Sequence, residues 1–308
     1  MTFTRKNLFG LEDITHEEIE HIIETAFSFK EVLERPIRMV PTLRGVTVLN
    51  LFFEDSTRTR ISFELAEKRL SAEIINFTKG SSSVSKGESL RDTARNIEAM
   101  KVDLVVVRHS SPGTPQFLAR HLDCGIINAG DGQHEHPTQA LLDLMTIKER
   151  FGQIKDLQVV ILGDILHSRV ARSNIFGLKK LGAHVTLCGP STLLPRYVEA
   201  LNVNATTDLR EALDGADILY VLRIQLEREK RILFPSIREY VKFYGVNRNR
   251  LKSAKKDIVI MHPGPINRGL ELTFDVADSS SSVILDQVTN GVAIRMAVLY
   301  LLSGRTNE

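Results

Sequence analysis

"VTVLNLFFEDSTRTRISFELAEKRL", residues 46–70, changes physical character twice. Its opening run is β-branched, aliphatic or aromatic almost throughout, the composition of a strand buried on both faces. Ile61, Leu65, Ala66 and Leu70 then recur at helical spacing. Between the two stretches, Asp55, Ser56 and Thr57 are all suited to an N-cap. A buried strand feeding directly into a helix is the unit from which parallel α/β sheets are built. Yet Arg58 and Arg60 fall in the first helical turn, where the macrodipole is already positive and carboxylates are favoured. Broken local rules tend to mark functional sites, and the charge that would repair this one is absent from the sequence.

The same alternation continues outward. Strand-like runs recur as "GVTVLNLFF", "AEIINF", "DLVVVRH", "GIINAG", "LQVVILGD", "AHVTLCG", "DILYVLR", "DIVIMHPG" and "SSVILDQ". Helical patterns over 88–100, 114–122, 137–151, 168–181 and 208–213 separate most of them. A further helix opens at Thr15 with Glu18 three residues on, the capping-box pattern. "GVAIRMAVLYLL", 291–302, is apolar nearly all round, which predicts a helix packed inside a domain. The 308 residues allow two domains of about 150 residues each. The first group of strands ends near Ala129 and the second begins near Leu157, so the boundary is expected in or near 137–151.

Composition excludes several classes. Lys+Arg 40 against Asp+Glu 38 leaves a net +2, no global bias toward nucleic acid or acidic membranes. Any anion site is therefore local. Cys124 and Cys188 are far apart and form no CxxC, as in a reduced compartment. The N-terminal residues lack an apolar signal core, and no run approaches the roughly 20 apolar residues of a membrane span. The expectation is a cytoplasmic globular protein.

Six constellations follow strand-like runs. At "DSTRT" the free N–H groups of a helix start, the hydroxyls of Ser56, Thr57 and Thr59, and the Arg58 guanidinium suit a phosphate; GxxxxGK[ST] is absent. Arg108, directly after "LVVV", is placed at the carboxyl-end crevice, where open α/β sheets bind ligands. In "NAGDGQHEHPTQALLDL", His136 precedes Pro137, a favoured first helical residue, and Gln139 lies in the first turn. His134, His136, Asp131 and Glu135 admit a metal site, a structural loop or substrate contact by His136. "GDILHSR" repeats the first anomaly at Arg169, without a GxGxxG dinucleotide fingerprint. After "DILYVL" come Arg223, Gln225 and Arg228, for which an exposed charged helix face is the alternative. In "HPGP" two prolines bracket Gly264 in a stiff turn that exposes carbonyls and admits a cis bond. Together Arg58, Arg108, Arg169 and Arg223 predict a pocket for a polyanion, or for two anions side by side.

"FFEDSTRTRISFE", "SVSKGES", "VVVRH", "NAGDGQHEHPTQALLDL", "GDILHSR", "LRIQLER", "MHPGPINRG" and "NGVAIRMAVLYLL" occur in this order along nearly the whole chain. It resembles the aspartate/ornithine carbamoyltransferase family, and "RIQ" with "HPGP" favours the aspartate members. The resemblance implies an α/β fold of two doubly wound parallel-sheet domains with an active-site cleft between them. A carbamoyl-phosphate domain over 1–137, completed by 288–308, would be followed by an aspartate domain over 138–287. It further implies that Ser56, Thr57, Arg58 and Thr59 hold the phosphate, and that Thr59, Arg108 and His136 polarise the carbamoyl oxygen. Gln139 and the carbonyls of Pro263 and Gly264 would hold the carbamoyl nitrogen; Arg169, Arg223 and Gln225 would bind the aspartate carboxylates. Ser82 and Lys86, on the polar loop 79–89, would reach a neighbouring subunit's site in a homotrimer. Glu54 and Arg228 correspond to interdomain ion-pair residues. Neither metal nor organic cofactor is implied; regulatory chains or dihydroorotase are further partners of relatives. Gly264 stands where some members carry leucine, and Leu222 where some carry threonine.

Three rival readings have their own discriminators. An ornithine enzyme would accommodate a cationic side chain and carry an "HCLP" loop, absent here. A metal-dependent hydrolase built on His134 and His136 would lose activity in chelator. A phosphate-binding protein without chemistry would be stabilised by ligand and show no turnover.

Overall fold

The computed structural model describes residues 3–78, 89–224 and 236–304, in two compact units. The first comprises residues 1–145 and 289–308, the second 146–288. The division falls inside a helix, later than the 137/138 break drawn from sequence.

In the first unit, helix α1 (His16–Glu34) opens with the full capping box: Thr15 accepts from the Glu18 N–H, and the Glu18 carboxylate accepts from the Thr15 N–H. Strand β1 (Thr47–Phe52) leads into α2 (Thr57–Arg69), β2 (Glu73–Thr78) into α3 (Leu90–Ala99), and β3 (Leu104–His109) into α4 (Thr114–Ala119). Strand β4 (Gly125–Asp131) then precedes α5 (Pro137–Phe151). The four strands pair in parallel in the order β2-β1-β3-β4. The β1 and β3 strands are almost wholly buried, as continuous apolar runs require.

The second unit holds β5 (Gln158–Leu162), α6 (Arg169–Lys180), β6 (His184–Cys188), β7 (Asn204–Thr206), α7 (Leu209–Leu213) and β8 (Ile218–Val221). Helices α8 (Ile237–Tyr244) and α9 (Arg248–Leu251), strand β9 (Val259–Met261) and helix α10 (Phe274–Ala277) follow. This sheet is also wholly parallel, in the order β7-β6-β5-β8-β9. Helix α11 (Ile284–Leu302) spans the end of the second unit and the last part of the first. From Val292 to Leu302 it is buried at every position except Tyr300.

Two readings of the sequence need correction. "SSVILDQ" is not a strand: Ser282 forms one isolated bridge to Ile260, and α11 begins two residues later. The apolar run misled because its Leu285 faces outward, 80% exposed, at the start of that helix. Strand β7 went unread because its three edge residues, two of them exposed, carry no apolar pattern. No described helix is long and apolar enough to cross a membrane.

Strand order decides where ligands bind. Open parallel sheets bind them outside the carboxyl ends of the strands where the winding direction reverses. In the first sheet that point lies between β1 and β3, and in the second between β5 and β8.

Candidate active site

At the first switch point, β1 ends at Phe52, which pairs in register with Arg108 of β3. The Phe53 N–H donates to the Arg108 carbonyl at 2.9 Å. This one contact brings the Glu54–Thr59 turn beside Arg108. Ser56 stands at the N-cap of α2, yet its hydroxyl accepts from no helix N–H. It donates instead to Thr59 Oγ1 at 2.9 Å. The first turn has no acidic residue, and the first N–H groups of a helix have no intrahelical acceptor. Thr59 is buried, whereas Thr57 and Arg58 are exposed. Arg60 turns to Glu64 on its own helix, Nε to Oε1 3.4 Å, so the two arginines of the anomaly part company.

Arg108 is 8% exposed. Its Nη1 donates to the Ala129 carbonyl at 3.0 Å, and its Nη2 lies 3.4 Å from Glu54 Oε1. The β3–β4 register shifts between Val107 and His109, a bulge that sets the arginine at the strand exit. Glu54, expected in an interdomain pair, meets Arg108 of its own unit. Arg228, the other residue expected in such pairs, lies outside the described residues, as do Gln225, Ser82 and Lys86.

The loop after β4 is organised by Asp131. Its carboxylate accepts from the Gly113 N–H at 2.8 Å, Asn128 Nδ2 at 2.8 Å and the Glu135 N–H at 3.2 Å, and meets His134 Nδ1 at 3.1 Å. Burial opposes ionisation of Asp131, but the hydrogen bonds of His134, Gly113 and Asn128 outweigh it and hold the carboxyl below its ordinary range. Glu135 reaches the N-terminal segment, accepting from the Leu11 N–H at 2.7 Å and the Glu12 N–H at 3.2 Å. A side chain at Gly10 would collide with Glu135, its Cβ 2.0 Å from Oε1. Glu12, His134 and Glu135 are the group among the described residues whose atoms could surround an ion. His136 is not part of it. This loop delivers His136, 4% exposed, to the start of α5, where its carbonyl accepts from the Gln139 and Ala140 N–H groups at 3.0 and 3.3 Å. The Gln139 side chain donates from Nε2 to Asp143 Oδ1 at 3.1 Å.

At the second switch point, Leu162 of β5 pairs with Val221 of β8, and the Leu222 N–H donates to the Leu162 carbonyl at 2.8 Å. The β5 exit runs through Gly163, whose φ of 130° suits glycine. Asp164 then meets His167 Nδ1 at 2.9 Å; burial raises the Asp164 carboxyl despite this partner. Ser168 caps α6, and Arg169, its first residue, is 6% exposed.

Arg223 follows β8, and its neighbour is tied down by residues that sequence reasoning missed. Glu271 Oε1 accepts from the Ile224 N–H at 2.8 Å, and its Oε2 from the Asn267 N–H at 2.7 Å. Asn267 Nδ2 donates to the Ile224 carbonyl at 2.9 Å. These bonds staple the Arg223–Ile224 exit to the loop after β9. Burial raises the Glu271 carboxyl; the Ile224 and Asn267 N–H groups oppose that rise. An acid between two leucines, Leu270 and Leu272, was the available signal. In the same loop the Gly264 N–H donates to His262 Nδ1 at 2.8 Å, and Gly264 has a φ of 61°, which favours glycine over leucine. The Gly264–Pro265 bond is cis.

Each unit thus carries cations at its own switch point: Arg58 and Arg108 in the first, Arg169 and Arg223 in the second. Residues 6–149 match the carbamoyl-P binding domain of aspartate/ornithine carbamoyltransferases, and 155–302 match the Asp/Orn binding domain. The chain belongs to the aspartate/ornithine carbamoyltransferase family. It is 62% identical over 299 residues to the aspartate carbamoyltransferase catalytic subunit of Cytophaga hutchinsonii, covering 97% of each chain. It is 59% identical over 302 residues to that of Christiangramia forsetii, covering 98% of this chain and 97% of the relative. Among solved structures, Trypanosoma cruzi aspartate transcarbamoylase in complex with N-(phosphonacetyl)-L-aspartic acid is similar at TM-score 0.89 and 29% identity, covering 97% and 96%. Pyrococcus furiosus ornithine carbamoyltransferase is similar at TM-score 0.87 and 31% identity, covering 99% of both chains.

Proposed function

We propose that the chain transfers the carbamoyl group of carbamoyl phosphate to the α-amine of L-aspartate, giving N-carbamoyl-L-aspartate and phosphate. One observation carries this reading: the uncapped, acid-free start of α2 at the first switch point, with Arg108 fixed on the adjoining strand. An acyl phosphate supplies the negative charge such a helix start attracts. The 62% identity to an aspartate carbamoyltransferase catalytic subunit favours aspartate over ornithine as acceptor.

In this reading Ser56, Thr57, Arg58 and Thr59 hold the phosphate oxygens. Thr59, Arg108 and His136 donate to the carbamoyl oxygen, while Gln139 and the carbonyls of Pro263 and Gly264 accept from the carbamoyl nitrogen. Arg169, Arg223 and Gln225 receive the two aspartate carboxylates. The amine lone pair attacks the carbamoyl carbon and forms the C–N bond. Negative charge gathers on the carbamoyl oxygen, the C–O bond to phosphate breaks, and the departing phosphate takes the amine proton. Each preorganised donor to that oxygen contributes about 2–4 kcal/mol. Holding the two reactants together contributes about 7–11 kcal/mol. The route calls on no metal or organic cofactor. A homotrimer in which Ser82 and Lys86 enter a neighbour's site, a cytoplasmic location and a place in pyrimidine synthesis belong to the same reading.

The test is product formation from carbamoyl phosphate with aspartate or ornithine, with and without chelator. Carbamoyl-aspartate in both conditions is expected. Carbamoyl-ornithine, chelator sensitivity, or binding without turnover would each replace the reading with one of its rivals. Restored activity on mixing Lys86→Ala with Arg58→Ala subunits is expected of shared sites; none after verified exchange would remove Lys86 from them.

A further inference from the structure

Two charged residues that this mechanism leaves unused are buried within the first unit. Asp143 on α5 is fully buried, and Arg295 on α11 is 4% exposed. Arg295 Nη1 donates to Ser62 Oγ at 3.0 Å and to the Gly291 carbonyl at 2.8 Å. Its guanidinium lies over the Phe63 ring, 5.1 Å from the centroid. Ser62 and Phe63 belong to α2, one turn beyond Arg58, so Arg295 is anchored to the helix that offers its N-terminus to phosphate. Burial pushes the Arg295 guanidinium down to about 10; attraction to Asp143 opposes that shift, and repulsion from Arg58 adds to it. A buried cation of this kind calls for a nearby anion, and Asp143 supplies it.

Asp143 also receives Gln139 Nε2, at 3.1 Å. A carboxylate only accepts hydrogen bonds, so the amide nitrogen is the atom that must face it. The Gln139 oxygen is thereby left as the acceptor that this half-buried side chain offers to anything else. An acceptor there discriminates between acyl groups: a carbamoyl group has N–H to donate, and an acetyl group has none.

We propose that Asp143, charge-matched by Arg295, is a positioning residue that locks Gln139 with its amide oxygen toward the ligand, so that the site selects an acyl phosphate bearing N–H over one bearing a methyl group. The inference rests on the functional reading above and deepens it.

The experiment compares Asp143→Asn with the parent enzyme in the full chain, using carbamoyl phosphate as substrate and acetyl phosphate as competing ligand. Asparagine can turn either its oxygen or its nitrogen to Gln139, so the lock is lost. The kcat/KM for carbamoyl phosphate is expected to fall about 10- to 100-fold, the size of one lost hydrogen bond to a buried polar group, while acetyl phosphate inhibits as before. Added to Gln139→Ala, Asp143→Asn should cause no further loss, since both act on one contact. Equal losses for both phosphates, or additive losses, would overturn the proposal and make Asp143 a structural residue. Asp143→Asn leaves Arg295 without its counter-charge, so Asp143→Asn/Arg295→Met is measured alongside; joint removal of a buried pair is often tolerated. Should neither variant fold, the pair serves the core rather than Gln139, and the proposal fails. A parent enzyme that does not turn over carbamoyl phosphate would sink the functional reading first, before any variant is compared.

Discussion

Helix α2 starts Ser56-Thr57-Arg58 and helix α6 starts Ser168-Arg169, each after a buried parallel strand and each without an acid in its first turn. At α6 the Ser168 hydroxyl accepts from the Ala171 N–H at 3.1 Å, and the helix is capped. At α2 the Ser56 hydroxyl turns to Thr59 and no helix N–H receives it. The arginines differ in step: Arg169 is buried, Arg58 exposed. On the proposed reading, one anomaly serves two kinds of anion site. The first offers main-chain dipole ends and hydroxyls, which suit the several oxygens of a phosphate. The second keeps its N-cap hydroxyl on its own helix and offers guanidinium, whose planar fork matches a carboxylate.

The strongest way to break this contrast is Arg58→Ala. Turnover is expected to fall about 10²- to 10³-fold, as on removing a donor aimed at developing charge, with far-UV circular dichroism unchanged. Near-parental kcat would show that the α2 start does not hold the phosphate. Next in size is Arg223→Ala. The aspartate KM should rise about 10- to 100-fold, through loss of a charge-assisted hydrogen bond, with the carbamoyl phosphate KM little altered. Equal rises in both constants would erase the distinction between phosphate and carboxylate ends.

What the sequence disclosed of this arrangement follows a physical boundary. Buried parallel strands are continuous apolar runs, so β1, β3, β4, β5 and β8 were legible, and with them the strand exits bearing Arg58, Arg108, Arg169 and Arg223. Thr15 and Glu18 announced α1 because a capping box is local. Strand order is not local, and the switch points emerged only from the pairing of β1 with β3 and of β5 with β8. The supporting charges were hidden for the same reason. Asp143 in "LLDLM", Arg295 in "AIRMA" and Glu271 in "GLEL" each interrupt an apolar face. That interruption marks a buried charge but does not name its distant partners: Ser62 for Arg295, Ile224 for Glu271 and Arg295 itself for Asp143. Pattern alone also misassigned "SSVILDQ", since its outward Leu285 resembles a core residue in composition.

The layer beneath the two helices sharpens the contrast through pH. Helix α2 buries Glu67, whose Oε2 accepts from Asn50 Nδ2 of β1 at 2.9 Å, whereas α6 buries the neutral Ser173 and Asn174. Burial pushes the Glu67 carboxyl from its ordinary 4.5 up to about 8, against the opposing Asn50 hydrogen bond. A folded-state value above the unfolded one means that the native state binds the extra proton. Its contribution is complete below pH 4.5 and is lost as pH rises through about 8. Across that window stability should fall by up to about 1.4 kcal/mol per pH unit. Glu67→Gln should flatten this part of the profile, measured as urea midpoints between the two limits. A parallel slope in parent and variant would assign the sensitivity elsewhere.

The smallest effect is the most direct comparison of the two helix starts. Ser168→Ala removes a hydroxyl that satisfies a backbone N–H, and should cost about 1 kcal/mol of stability. Phosphate affinity, read as inhibition by inorganic phosphate, should not change with it. Ser56→Ala removes a hydroxyl that caps nothing in the unliganded chain, so its stability cost should be well below that of Ser168→Ala. Its cost should appear as weaker phosphate inhibition, because ligand oxygens are the partners this hydroxyl awaits. The two serines stand in the same place in sequence, at a strand-to-helix turn before an arginine. A shared destabilisation with unchanged phosphate inhibition would mean that both are ordinary caps, and that the open start of α2 has no part in binding.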